Sequence, residues 1–148
     1  MEVTGANSDL FRISPAVFER IPGLEVVAVV AVVATGIRRE RNEEVDAAWT
    51  AAWAEIHERF PYPNAQGHPH VAAWRVAMRA AGAPHKEFPT SIESLVRRAL
   101  KSAEPLRIDP LVDFYNTLSL RHVAPAGGYD LDALDGPLEL LVTHSGEP

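Results

Sequence analysis

Between residues 43 and 60 apolar side chains return every three or four positions. Val45, Trp49, Trp53, Ile56 and Phe60 fall on one face, which predicts an amphipathic helix from about Glu43 to Phe60. The stripe is continuous and its neighbours are alanines, so the two tryptophans one turn apart read as core rather than as a platform for stacked bases. A second helix begins near His68-Pro69, turns Val71, Trp74 and Met78 inward and closes at Gly82. Thr90 and Glu93 have the Thr-x-x-Glu spacing of a capping box and start a third, with Ile92, Leu95, Val96 and Ala99 facing the core and Arg97 and Arg98 projecting away. Asp109 as N-cap and Pro110 in the first turn start a fourth, where Leu111, Phe114 and Leu118 make one face and Asp113 suits the helix dipole.

Other stretches follow a strand or turn pattern. Phe11-Arg-Ile reads as a short strand, and Ser14-Pro15 opens a short helix that stops at Pro22-Gly23. The valine-rich run Val26 to Val33 is far too short to cross a bilayer and reads as a central buried strand ending at Thr35-Gly36, with Arg38 to Asn42 as a polar connection. Phe60 to Gly67 is a loop and Ala83 to Pro89 a linker. The fourth helix must stop before Pro125, and Gly127-Gly128 permits positive φ and the close approach of a backbone or ligand. Leu138 to Thr143 reads as a strand. The expectation is therefore an α+β fold: a mixed β-sheet around the Val26 strand, with about four helices from 43, 69, 90 and 110 packed against it, in a single domain over residues 1–148.

Asn116, Thr117 and Ser119 interrupt the fourth helix with side chains that compete for backbone hydrogen bonds. They serve either a buried network tying neighbouring backbone together or a ligand.

Composition narrows the function classes. The 47% hydrophobic and 23% charged shares are those of a soluble globular protein, and Met1 to Asn7 lacks the pattern of a signal peptide. The absence of cysteine excludes disulfides and thiolate metal sites and is compatible with a cytoplasmic protein. A formal charge of −6 argues against gripping nucleic acid over the whole surface. Residues 86–107 nevertheless carry Lys86, Arg97, Arg98, Lys101 and Arg107 against Glu87, Glu93 and Glu104, a local basic patch. His68-Pro-His70 has diverging rings and no third ligand at useful spacing, so no metal site is expected. Ser119, His122 and Asp113 match a catalytic triad in number only, and no phosphate-binding glycine loop is present.

The stretch from Thr90 to Asp130 carries a resemblance. Ser91, Glu93, Leu95 and Arg98 match Ser-x-Glu-x-Leu-x-x-Arg; Leu111, Val112, Asp113, Asn116 and Ser119 match Leu-Val-Asp-x-x-Asn-x-x-Ser; Pro125, Gly127, Gly128, Tyr129 and Asp130 match Pro-x-Gly-Gly-Tyr-Asp. These are motifs of freestanding B3/4-domain proteins, and the block also resembles the B3/B4 editing domain of the phenylalanyl-tRNA synthetase beta subunit. The resemblance implies hydrolysis of a mischarged aminoacyl-tRNA in trans, without metal, cofactor or covalent intermediate. It implies Asn116, Gly127 and Gly128 as catalytic positions, with Tyr115, Ser119, Tyr129, Ser91 and Glu93 about the substrate. Arg97, Arg98, Lys101 and Arg107 are the expected contacts to tRNA. Tyr115 stands where the synthetase has threonine, and Gly127 where it has a pocket histidine, so the amino acid removed is left open. The family domain continues past the strand near Thr143, so the chain is expected to lack its C-terminal part, leaving a noncatalytic RNA- or protein-binding module as the alternative. An apolar face left uncovered by that loss would favour a homo-oligomer.

Overall fold

The computed structural model describes residues 10–31, 42–83 and 87–143. The expectations for Met1 to Asn7, Val32-Val33, Thr35-Gly36, Arg38 to Arg41, Lys86 and Pro148 lie outside them. The described chain divides into two compact units, residues 10–31 with 129–143, and residues 42–83 with 87–128.

In the first unit, β1 (Phe11–Ile13) and β2 (Leu138–Leu140) pair in parallel, with Phe11 opposite Leu138 and Ile13 opposite Leu140. The ladder is extended by Leu138 N–H to the Leu10 carbonyl at 2.9 Å and Ser14 N–H to the Leu140 carbonyl at 3.0 Å. Ser14 and Pro15 then open α1 (Pro15–Arg20), whose Val17 is buried. The valine run departs from expectation. Leu24 to Ala31 contains no strand residue, and Val27 and Val29 are exposed. Valine favours a strand only where a neighbouring edge takes its backbone groups and a facing layer covers its side chains. No described strand pairs with this run, so the mixed sheet built around it gives way to a two-stranded parallel one. The class remains α+β, with five helices and this small sheet among the described residues.

The second unit holds α2 (Glu43–Arg59), α3 (Pro69–Ala80), α4 (Ser91–Lys101) and α5 (Pro110–His122), close to the expected starts. Each start has a local cause. The Asn42 side chain accepts from the N–H groups of Glu44 and Val45, the Thr90 hydroxyl from Glu93 N–H, and the Asp109 carboxylate from Leu111 N–H. Gly82, at φ 85°, ends α3: its own N–H reaches the Arg79 carbonyl and that of Ala83 reaches Met78, closing a Schellman turn.

The core gathers on α2. Trp49 and Trp53 are sealed and meet edge to face, with ring centroids 5.2 Å apart. Their N–H groups do not go unpaired. Trp49 Nε1 donates to the Leu106 carbonyl at 3.0 Å, Trp53 Nε1 to Ser102 at 2.7 Å, and His57 to Ala99 at 2.8 Å. A carbonyl can only accept, so His57 carries its proton on Nδ1. These rings sit one turn apart on α2 while their acceptors run backwards from 106 to 99, so α2 fastens the end of α4 and the following linker antiparallel to itself. Arg107 adds a rung to Asp46 at 2.8 Å and Thr50 at 2.9 Å. The linker so held sets where α5 begins.

The face of α5 is a second departure. Leu111, Phe114 and Leu118 are 42%, 50% and 39% exposed, while Asp113, Thr117, Ser119 and Leu120 are buried. This inversion is tolerable because the buried polar groups find local partners. Asp113 accepts from Ile108 N–H at 3.2 Å, and the Thr117 hydroxyl donates to the Asp113 carbonyl at 2.7 Å. No helix among the described residues is long and apolar enough to cross a membrane.

Candidate functional site

Of the three polar residues that interrupt α5, Thr117 and Ser119 have hydrogen-bond partners and Asn116 has none among the described residues. Thr117 bonds back to its own helix. Ser119 donates from Oγ to the Ala124 carbonyl at 2.6 Å, while its own carbonyl accepts from Ala124 N–H at 3.2 Å. Between them Val123 adopts a left-handed conformation, φ 47°, which a β-branched residue enters only under constraint. Ser119 thus clamps the end of α5. Burial pushes the Asp113 carboxyl up, against the opposing influence of the Ile108 N–H and Arg107. Asn116 is half-buried and makes no side-chain hydrogen bond with the described residues.

Beside Asn116 the structure brings two expected site residues together. A Cβ built on Gly128 would stand 3.5 Å from the Tyr115 ring, so the glycine backbone packs on that ring. Gly127 faces open space. Neither glycine takes the positive φ that it permits; residues 124–128 form no turn, and the absence of a side chain, not backbone reversal, is what the pair offers. Tyr129 is exposed at the start of the other unit.

At the start of α4 the capping box is half formed. Thr90 caps Glu93 N–H, but the Glu93 carboxylate does not fold back; it is fully buried and faces two arginines. Arg97 Nη2, one turn along, lies 2.7 Å from Oε1, and Arg75 Nε, from α3, lies 3.8 Å from Oε2. Neither oxygen receives a well-directed hydrogen bond, so even the short contact is an ion pair with its N–H groups aimed aside. Ser91, Arg98 and Lys101 are exposed on α4. Arg107 is tied to α2 through Asp46, so the four expected tRNA contacts share no common partner. Arg75 was not among the expected residues; its helical position one turn before Arg79 carried no sign that it would reach a buried carboxylate.

The described residues also form a shallow cleft of about 200 Å³ between the end of α2, Phe60-Pro61, His68 and the end of α5. None of the expected site residues lines it. His68 caps α3 through its ring, Nδ1 accepting from His70 N–H at 3.2 Å, and stacks on Phe60 at 5.9 Å. An accepting Nδ1 requires the neutral ring, and burial together with neighbouring His70 holds its pKa down. His70 donates from Nδ1 to the His122 carbonyl at 3.2 Å.

Against this geometry the B3/4 domain family model matches residues 73–148. The chain belongs to the B3/4 domain family. The matched span begins within α3 and contains Arg75, Glu93, Arg97, all of α5 and the glycine pair. A B3/4 domain is related to the tRNA synthetases. Helix α2 and most of the cleft precede the matched span. No curated protein and no solved structure gives a significant match.

Proposed function

We propose that this B3/4 protein hydrolyses a mischarged aminoacyl-tRNA in trans. In this reading water attacks the ester carbonyl carbon and the bond to the ribose oxygen breaks. That oxygen takes up a proton, and the free amino acid leaves. Asn116 orients the ester, and the Gly127 and Gly128 backbone lines the pocket and stabilises the developing oxyanion. Tyr115 and Ser91 border the substrate, while Ser119 holds the end of the helix that bears Asn116. The reaction belongs in the cytoplasm with the charged tRNA pool.

The observation that carries this reading is the meeting of α5 with Gly128. The Tyr115 ring packs on Gly128, and next to it in sequence stands Asn116, which makes no side-chain hydrogen bond with the described residues where Thr117 and Ser119 each make one. A half-buried amide that solvent can reach and no described side chain or backbone group occupies is open to a ligand. The test is hydrolysis of a panel of mischarged tRNAs, tyrosyl-tRNA(Phe) included. Release of one amino acid well above the spontaneous rate supports the reading; no release from any member overturns it.

A noncatalytic binding module is the second reading, favoured by the uncovered Leu111, Phe114 and Leu118 on the helix that bears Asn116. It expects retained tRNA binding without turnover.

A further inference from the structure

Glu93 has acceptor capacity that the protein does not use. A glutamate at this place in a helix ordinarily folds over the cap or reaches into water. Here it is sealed, and sealing a carboxylate is costly unless cations meet it. Two guanidiniums do so from two helices, Arg97 at 2.7 Å and Arg75 at 3.8 Å. One carboxylate balances only one of them, so the trio keeps a net positive charge. Both arginines also reach the surface, their side chains 43% and 20% exposed, with most of their N–H donors turned away from Glu93. The charge continues along each helix, since Arg79 follows Arg75 and Lys101 follows Arg97 at the i+4 spacing.

We propose that Arg75 and Arg97, spaced and oriented by the buried Glu93, form a fork that binds a phosphate of an RNA strand. This rests on the reading above, in which the partner is a tRNA. Planar guanidiniums present paired donors that match a tetrahedral oxyanion, and holding them in place beforehand lowers the entropy lost on binding. Basic positions repeating along two helices suit a polymer whose charges repeat. In a chain of net charge −6 they confine such a strand to this face. Glu93 is a positioning residue: it touches the arginines and not the RNA.

The test uses the wild-type chain and a short single-stranded RNA ending in CCA with no amino acid attached. Phenylglyoxal labelling, read residue by residue by mass spectrometry, is expected to slow about fivefold at Arg75 and Arg97 when RNA is bound, and to stay unchanged at Arg12. Arg97→Gln should weaken RNA binding about fivefold to tenfold and flatten the slope of log affinity against log salt by about 0.7, one phosphate contact on a single strand. Glu93→Gln separates positioning from charge: a site of charge alone binds RNA more tightly once the carboxylate is neutralised, whereas a positioned fork binds it more weakly. No RNA binding, equal labelling at both arginines, or tighter binding by Glu93→Gln overturns the proposal. Equal protection by polyglutamate overturns the assignment to RNA. Protection without ester hydrolysis keeps the fork and removes the editing reading; hydrolysis without protection does the reverse.

Discussion

The Arg75–Glu93–Arg97 trio makes an asymmetric prediction about stability. Glu93 is fully buried, while Arg75 and Arg97 are 20% and 43% exposed, so the carboxylate depends on the arginines far more than they depend on it. Arg97→Met keeps an apolar stem over Glu93, excludes water and leaves the carboxylate only the 3.8 Å contact to Arg75. Removing one partner from a buried pair costs about 3–5 kcal/mol. Glu93→Gln instead leaves two guanidiniums that solvent can reach, and its cost falls to the scale of an exposed pair, about 1 kcal/mol. The double variant Arg97→Met/Glu93→Gln should recover much of the single Arg97→Met loss, a coupling of about 1–3 kcal/mol. Urea unfolding followed by the fluorescence of the buried Trp49 and Trp53 reads this directly. At an m-value of about 2 kcal/mol/M, Arg97→Met lowers the midpoint by about 1.5–2.5 M and Glu93→Gln by about 0.5 M. Equal losses for the two single variants, or losses that simply add in the double, would refute the argument that the sealed carboxylate is the dependent member.

Three further outcomes follow from other parts of the fold. Trp53→Phe removes the donor to the Ser102 carbonyl and opens a small void in the core, and should cost about 2–4 kcal/mol by urea unfolding. Asp113 is raised by burial, so its ionised form is disfavoured in the native state, and stability present below the unfolded carboxyl pKa is lost as pH rises through the folded one. Asp113→Asn cannot ionise and still accepts from Ile108 N–H, so thermal melts should show it gaining on the wild type as pH rises through that window. His68 is lowered by burial and by His70, so the stability it contributes is present above the unfolded histidine pKa of about 6.5 and lost as pH falls through the folded one. His68→Asn keeps an accepting N-cap without the titration and should flatten the acid side of the melting profile.

Helix starts were legible in the sequence because caps are local. Pro69, Thr90 and Asp109 each act on residues within one turn, and no distant partner is needed to read them; the Asn42 cap was read only as part of a polar connection. The valine run was not legible, since strand formation depends on an edge elsewhere in the chain, and the described residues supply none. The inward face of α5 was misread for a related reason. Periodicity finds an apolar stripe but not the neighbour that receives it, and local bonds from Ile108 and Thr117 let the helix bury its polar side instead. At the candidate site, the motifs singled out α5 and the glycine pair, but not that Ser119 is committed to Ala124 while Asn116 makes no side-chain hydrogen bond with the described residues. Glu93 was read as a cap because spacing supports that reading. Its burial beneath Arg75 depends on how α3 meets α4, which no local pattern encodes.

The central claim rests on Asn116. The most direct measurement is the rate of amino acid release from the best mischarged tRNA by the wild type, Asn116→Ala and Ser119→Ala, each alongside its unfolding midpoint. The account predicts that Asn116→Ala loses about a hundredfold or more in rate with stability unchanged to within about 0.5 kcal/mol. Ser119→Ala should lose about 1–2 kcal/mol of stability and much less rate. Full activity in Asn116→Ala, with its fold intact, contradicts the account.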